Sequence, residues 1–170
     1  MLTLGQPLLG KNILSLRIGG PIGIATEALI NPNNLKIEGW YATDSKKAAS
    51  ILLSQDIRDI LPQGFVVDDH EALTHPDELI RLKETIGHQF SLIGKPVYTT
   101  GKKRLGKVND YAFEKNAFFV QKLYVSQSIL KSFNGGTLTI DRTQIVEITH
   151  QRITVKEATV NETVPMPATA

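Results

Sequence analysis

The feature that most constrains this chain is that much of it occurs twice. The segment LLGKNILSLRIGGPIGIATEALINPNNLKIEGWYATD, residues 8–44, lies over LIGKPVYTTGKKRLGKVNDYAFEKNAFFVQKLYVSQ, residues 92–127. Gly10-Lys11 meets Gly94-Lys95, Ile13 meets Val97, Gly23 meets Gly106, and Trp40-Tyr41 meets Leu123-Tyr124. Further on, Ile57, Ile60, Phe65 and Val67 meet Ile145, Ile148, Ile153 and Val155, so the offset drifts between 83 and 88 residues. One repetition at such a spacing is a duplicated module rather than a solenoid array. In a chain of 170 residues it predicts two small domains.

Both copies share one local grammar. In the second, Lys95 to Thr99 reads as a short strand, and Gly101-Lys102-Lys103-Arg104 as a turn in which Gly101 is available for positive φ. Gly106 to Glu114 returns as a strand, Lys115-Asn116 turns again, and Ala117 to Ser126 is a third strand rich in aromatic and β-branched residues. Asn134-Gly135-Gly136 is a turn before Thr137 to Ile140, and Ile145 to Thr149 and Arg152 to Val155 close the copy. The first copy matches, with Asn31-Pro32-Asn33-Asn34 and Pro62-Gln63-Gly64 as its turns. Short strands at regular spacing, punctuated by turn residues, predict small barrels.

Between the copies, THPDELIRLKETIGHQF has Thr74 and Asp77 at capping-box spacing, and Leu79, Leu82 and Ile86 on one face at helical periodicity. This predicts a short linking helix over residues 74–90 whose apolar stripe packs on a barrel. The expected organisation is therefore all-β with one short helix: a barrel over 1–73, the helix, a second barrel over 91–157, and a disordered tail over 158–170.

Leu92-Ile93-Gly94-Lys95, Val97, the turn at Gly101 and Leu105-Gly106-Lys107-Val108-Asn109-Asp110 resemble the opening hairpin of the PRC-barrel family. FFVQKLYVS and IDRTQIVEI fit the same pattern, and the resemblance covers most of residues 90–157. The first copy departs from it: its Ile18 to Ile22 turn is uncharged, Ala25 stands in the G-x-V step, and Glu27 stands in the place of Asp110. This barrel occurs in the cytoplasmic domain of the photosynthetic reaction-centre H subunit and at the C-terminus of a ribosome maturation factor. The resemblance implies a non-enzymatic scaffold, adaptor or assembly factor that binds a protein partner. Its alternative is a ribosome-maturation or RNA-processing accessory, and it supplies no shared catalytic apparatus, cofactor or metal.

A formal charge of +2 conceals an asymmetry: residues 1–75 carry 6 basic and 8 acidic side chains, whereas 91–170 carry 11 and 6. The basic knot of Lys102, Lys103, Arg104 and Lys107 is the one candidate macromolecule-binding site. It reads first as a solvated hairpin tip that resists edge pairing, and second as a site for an acidic protein surface or RNA. Zero cysteines exclude disulfides, thiolate nucleophiles and cysteine-held metals. His70 and His75 lie near Asp68, Asp69 and Glu71, but adjacent residues of an extended segment face opposite ways and no metal-ligand spacing is present. Gly19-Gly20-Pro21-Ile22-Gly23 matches no phosphate-binding motif, and Pro21 removes an amide donor. Trp40 reads as core, or as packing between barrels. No leader or membrane-spanning run is expected, which predicts a cytoplasmic protein with no membrane insertion; self-association is left open.

Overall fold

A computed structural model describes residues 1–127 and 136–157. The expected turn at Asn134-Gly135 and the tail over 158–170 lie outside the described residues. Among the described residues, fourteen strands and one short α-helix make an all-β fold. β1 is Leu2–Leu4, followed by β2 (Asn12–Ser15), β3 (Gly20–Ile30), β4 (Ile37–Asp44), β5 (Ala49–Leu53), β6 (Ile57–Leu61), β7 (Gly64–Val67) and β8 (Leu73–Thr74). After α1 (Lys83–Gly87) come β9 (Pro96–Thr99), β10 (Arg104–Glu114), β11 (Val120–Ser126), β12 (Thr137–Asp141), β13 (Ile145–Ile148) and β14 (Ile153–Val155). They divide into two compact units, one of Gly5–Phe90 and one of Met1–Leu4 with the residues from Ser91 onward.

In the N-terminal unit one sheet runs β6-β7-β2-β3-β4-β5-β8. In the C-terminal unit the order is β13-β14-β9-β10-β11-β12, with β1 added alongside β10. Apart from β8 and β1, the two orders correspond strand for strand, including the parallel pair, β7 with β2 and β14 with β9. Even the irregularities recur. The β2–β3 register slips at Ile22-Gly23 and the β9–β10 register at Leu105-Gly106. β3 slips against β4 between Ala25 and Glu27, and β10 against β11 between Val108 and Asp110. Since a bulge inserts an extra residue and bends its strand, repeated bulges mean that both sheets curl at the same places.

Local chemistry explains the shared turns. Leu35 and Phe118 both adopt left-handed φ, 59° and 58°, where β3 turns into β4 and β10 into β11. Asn31 and Glu114 hold those turns, with Asn31 Oδ1 accepting from Asn33 N–H at 2.9 Å and Glu114 Oε1 accepting from Asn116 N–H at 3.0 Å. The third strand of the second copy therefore begins at Val120, not Ala117: Ala117 and Phe118 are spent on the turn, and Phe119 only bridges back to Glu114.

Most of the buried side chains on the strands are apolar, with Ser15, Ser50, Thr99 and Asp110 as polar exceptions. Ile13, Ile37, Trp40, Leu52, Phe65 and Val67 fill the N-terminal unit, where the Trp40 and Phe65 rings lie 4.8 Å apart. Val97, Phe113, Val120, Leu123, Val125, Ile140, Ile153 and Val155 fill the C-terminal unit. Trp40 is thus a core residue, at 0% exposure.

The segment after β8 is less helical than its spacing predicts. It consists of two 3-10 turns, Pro76–Glu78 and Ile80–Leu82, before α1. Leu79 interrupts them at φ −91°, ψ 69°. Thr74 is not the cap, because it is drawn into β8 opposite Ile51; His75 Nδ1 accepts from Asp77 N–H instead. The apolar stripe nevertheless packs as its periodicity predicts. Leu82 buries against Leu29 and Ile51, with Leu79, Ile86, Tyr41 and Leu53 around them. Among the described residues no helix is long and apolar enough to cross a membrane.

Candidate functional site: a basic face around Tyr98

The tip between β9 and β10 is organised from beneath by a buried hydroxyl. Thr99, 1% exposed, accepts from Lys103 N–H through Oγ1 at 3.2 Å, and its own N–H donates to the Lys103 carbonyl at 2.9 Å. Lys102 N–H donates to the Thr99 carbonyl at 3.0 Å. Glu157 turns its carboxylate onto Gly101 N–H. The left-handed residue of this turn is Lys102, at φ 66°, and not Gly101. The reason lies in the hydrogen bonds: closing the turn onto Thr99 requires positive φ one residue later than the glycine. Ser15 occupies the equivalent place in the first copy, 2% exposed, its hydroxyl accepting from Ile18 N–H at 3.2 Å.

All four cations singled out in the sequence are exposed. Lys102 and Lys103 lie in the turn, whereas Arg104 and Lys107 lie on β10. Three residues apart, those two would point to opposite faces of a regular strand. The bulge at Leu105-Gly106 cancels this: Arg104 pairs with Tyr98 and Lys107 with Pro96, and residues 96 and 98 share a face of β9. Gly106 permits it, with φ 150° and so close an approach to the Ser126 carbonyl that a Cβ would collide with it.

The parallel neighbour β14 brings in a fifth cation that sequence spacing did not reveal. Arg152 is exposed and holds its guanidinium 5.6 Å from the centroid of the half-buried Tyr98 ring. Its position is fixed from two sides. Thr149 Oγ1 accepts from Arg152 N–H at 3.1 Å and donates to the Arg152 carbonyl at 3.2 Å, and Lys95 Nζ donates to the His150 carbonyl at 2.6 Å. Burial holds the Lys95 amine below its ordinary value. By sequence Arg152 heads the closing strand, which begins at Ile153 instead; its proximity to Tyr98 depends on β14 pairing with β9 across more than fifty residues.

Tyr98 therefore sits among Arg104, Lys107 and Arg152 on one outward face, with Lys102 and Lys103 at its edge. Among the described residues no ion pair engages any of these five cations. Of the acidic neighbours, Glu157 sits on the tip through Gly101 N–H, and the others lie at the margins. Glu147 stands beyond Thr154, opposite it on β13. Asp110, 2% exposed, accepts from Tyr111 N–H and faces Tyr124 across β11, whose phenol is pushed up by burial and by that carboxylate. Tyr111, the other tyrosine near the turn, is 2% exposed and belongs to the interior.

No family model and no curated protein matches this chain.

The same face of the N-terminal unit has different chemistry. By register, Leu14 replaces Tyr98, Pro21 replaces Arg104, Ile24 replaces Lys107, and Val66 replaces Thr154. Its tip carries Leu16 and Ile18, 66% and 59% exposed, and Ile24 is 45% exposed. Asp68 and Asp69, near His70, are engaged in ion pairs. Arg17 meets Asp69 at 2.7 Å, Arg58 meets Asp68 at 2.7 Å, and both arginines hold those carboxyls below their ordinary value. His70 Nδ1 lies 2.7 Å from Asp69 Oδ1. Among the described residues no three histidine or acidic side chains gather in a metal-holding group.

Proposed function

We propose that the chain is a non-enzymatic cytoplasmic adaptor of two tandem PRC-type barrels, which engages macromolecules through the corresponding outward face of each unit. The observation that carries this reading is the contrast between backbone and surface. Strand order, bulges, turn anchors and the buried hydroxyl under the tip recur in both units, while the side chains on one face change from apolar to basic. A retained scaffold with divergent faces is the pattern of a module that presents surfaces, and exposed loop tips on a rigid sheet are where such surfaces gather. Exposed apolar residues at Leu16, Ile18 and Ile24 fit apolar side chains of a protein partner. The basic face of the C-terminal unit fits an acidic macromolecule, steered by charge.

The test uses the tagged full chain in its native lysate, cross-linked with and without nuclease and read by mass spectrometry. Two variants are compared with the parent: Leu16→Ser with Ile18→Ser, and Lys102→Ala with Lys103→Ala and Arg104→Ala. Each variant is expected to lose a different cross-linked partner and keep the other. Loss of the same partners in both, or of none, overturns the two-faced adaptor. Ribosomal proteins lost from the parent on nuclease treatment, and lost from the lysine variant but kept by the Leu16–Ile18 variant without it, would favour the ribosome-maturation reading for the basic face.

A further inference from the structure

We infer that the outward face of β10-β9-β14 binds single-stranded nucleic acid, with Tyr98 as the stacking platform and Arg104, Lys107 and Arg152 as phosphate contacts. The inference rests on the adaptor reading, in that it gives the C-terminal unit's face a ligand class. An acidic protein surface needs cations only. Here they surround an outward aromatic ring on β9, between β10 and β14, with Arg104 beside it in the cross-strand pair and Arg152 over it at 5.6 Å. Every base offers a π-face to such a ring, and a guanidinium stacks on a base as well as on tyrosine. Arg104 and Lys107 stand two rungs apart, about 6.6 Å along the strand. They form a track of charge beside the platform rather than one point. Lys102 and Lys103 extend that track past the strand end.

Two further observations favour a strand over other anions. Thr99 fixes the tip from beneath and Thr149 closes the exposed Arg152 turn, so the backbone that carries Lys103 and Arg152 is set before a ligand arrives. At the tip, residues 100–104 are Thr-Gly-Lys-Lys-Arg, with no apolar side chain to enter a bilayer, which separates it from a membrane-seeking loop. The N-terminal unit has Leu14, Pro21 and Ile24 at the matching positions, with neither ring nor cation there, and its tip Arg17 is paired with Asp69, so it supplies an internal control.

The experiment is a fluorescence-anisotropy titration of the full chain with labelled oligouridylate of about 12 nucleotides, repeated with an oligoglutamate of equal length and with phosphatidylserine vesicles. The RNA is expected to bind most tightly. Log affinity should fall with log salt at a slope no steeper than about −3.5, for five phosphates at about −0.7 each. Tyr98→Leu should weaken RNA binding at least fivefold with the salt slope unchanged, and Tyr98→Phe should restore it, since the ring and not the hydroxyl stacks. Arg152→Gln should weaken binding and reduce the slope by about 0.7, which keeps the test valid if Tyr98→Leu proves unstable on melting. Equal affinity for oligoglutamate, or a Tyr98→Leu variant that binds RNA like the parent, overturns the stacking site and leaves the adaptor reading standing. Preference for vesicles overturns it in favour of a membrane surface. Failure to bind any of the three probes overturns both the nucleic-acid site and the basic face as a docking surface.

Discussion

Lys102 is where stability and binding pull apart. A non-glycine residue at φ 66° carries a Cβ against its own carbonyl, at a cost of about 1–2 kcal/mol. Part of that returns on substitution by glycine, which in turn loses more entropy on folding, about 0.5–1 kcal/mol. Lys102→Gly is therefore expected to stabilise the C-terminal unit by about 0.5–1 kcal/mol, read as a raised urea midpoint at unchanged slope, while reducing the salt dependence of polyanion binding. A lowered midpoint would mean that the lysine side chain makes a stabilising contribution that outweighs the backbone. Gly106 is the opposite case. At φ 150° and pressed against Ser126, it holds the bulge that turns Lys107 to the same face as Arg104. The sequence identified both residues, but not their roles. A glycine in a turn signals freedom without saying which residue takes the left-handed conformation, and a bulge becomes visible only once the partner strand is known.

At the scale of elements, the hairpins and the apolar stripe were legible because their causes are local. Asn31-Pro32, Lys115-Asn116 and Pro62-Gln63-Gly64 bend the chain by their own chemistry. Leu79, Leu82 and Ile86 share a face whether the segment is continuous α-helix or, as here, 3-10 turns leading into a short one. The same packing makes a direct test. Leu82 is 6% exposed against Leu29 and Ile51, outside the main core of the N-terminal unit. Leu82→Ala should cost about 2–5 kcal/mol, the usual range for emptying a buried leucine site, towards the low end because a short segment can settle inward. The loss should appear as a lowered melting transition of the N-terminal unit. Salt-dependent polyanion binding by the C-terminal unit should remain as in the parent. A change below 0.5 kcal/mol would show that the stripe only rests on the sheet. What the sequence could not show at this scale were pairings decided far along the chain, above all β14 beside β9, and with it Arg152 over Tyr98.

At the scale of the whole molecule, the first strand belongs to the second fold. Leu2, Thr3 and Leu4 pair with Glu114, Phe113 and Ala112, along the part of β10 that lies beyond the reach of β9. Nothing in Leu-Thr-Leu announces this, since three residues carry no period and the partner lies over a hundred residues away. In the N-terminal unit Leu29, on the corresponding late stretch of β3, is instead packed by Leu82 of the segment before α1. Thus the few residues leading into the first copy complete the second, and those leading into the second complete the first. Fragments cut at the repeat boundary should therefore behave unequally. Residues 5–90 retain every strand and the covering segment of their unit, and are expected to fold alone with a cooperative transition and a dispersed NMR spectrum. Residues 91–170 lack β1, which leaves backbone donors and acceptors of β10 near Phe113 without their strand partner. That fragment is expected to melt lower than the same unit in the full chain and to self-associate as its concentration rises, because an open strand edge is a template for pairing. A synthetic peptide of Met1–Leu4 extended by a few residues should raise its melting temperature in a dose-dependent way. Fragment 91–170 melting as it does in the full chain, monomeric and indifferent to the peptide, would show that β1 rests on β10 without supporting it. Each repeat would then be complete in itself.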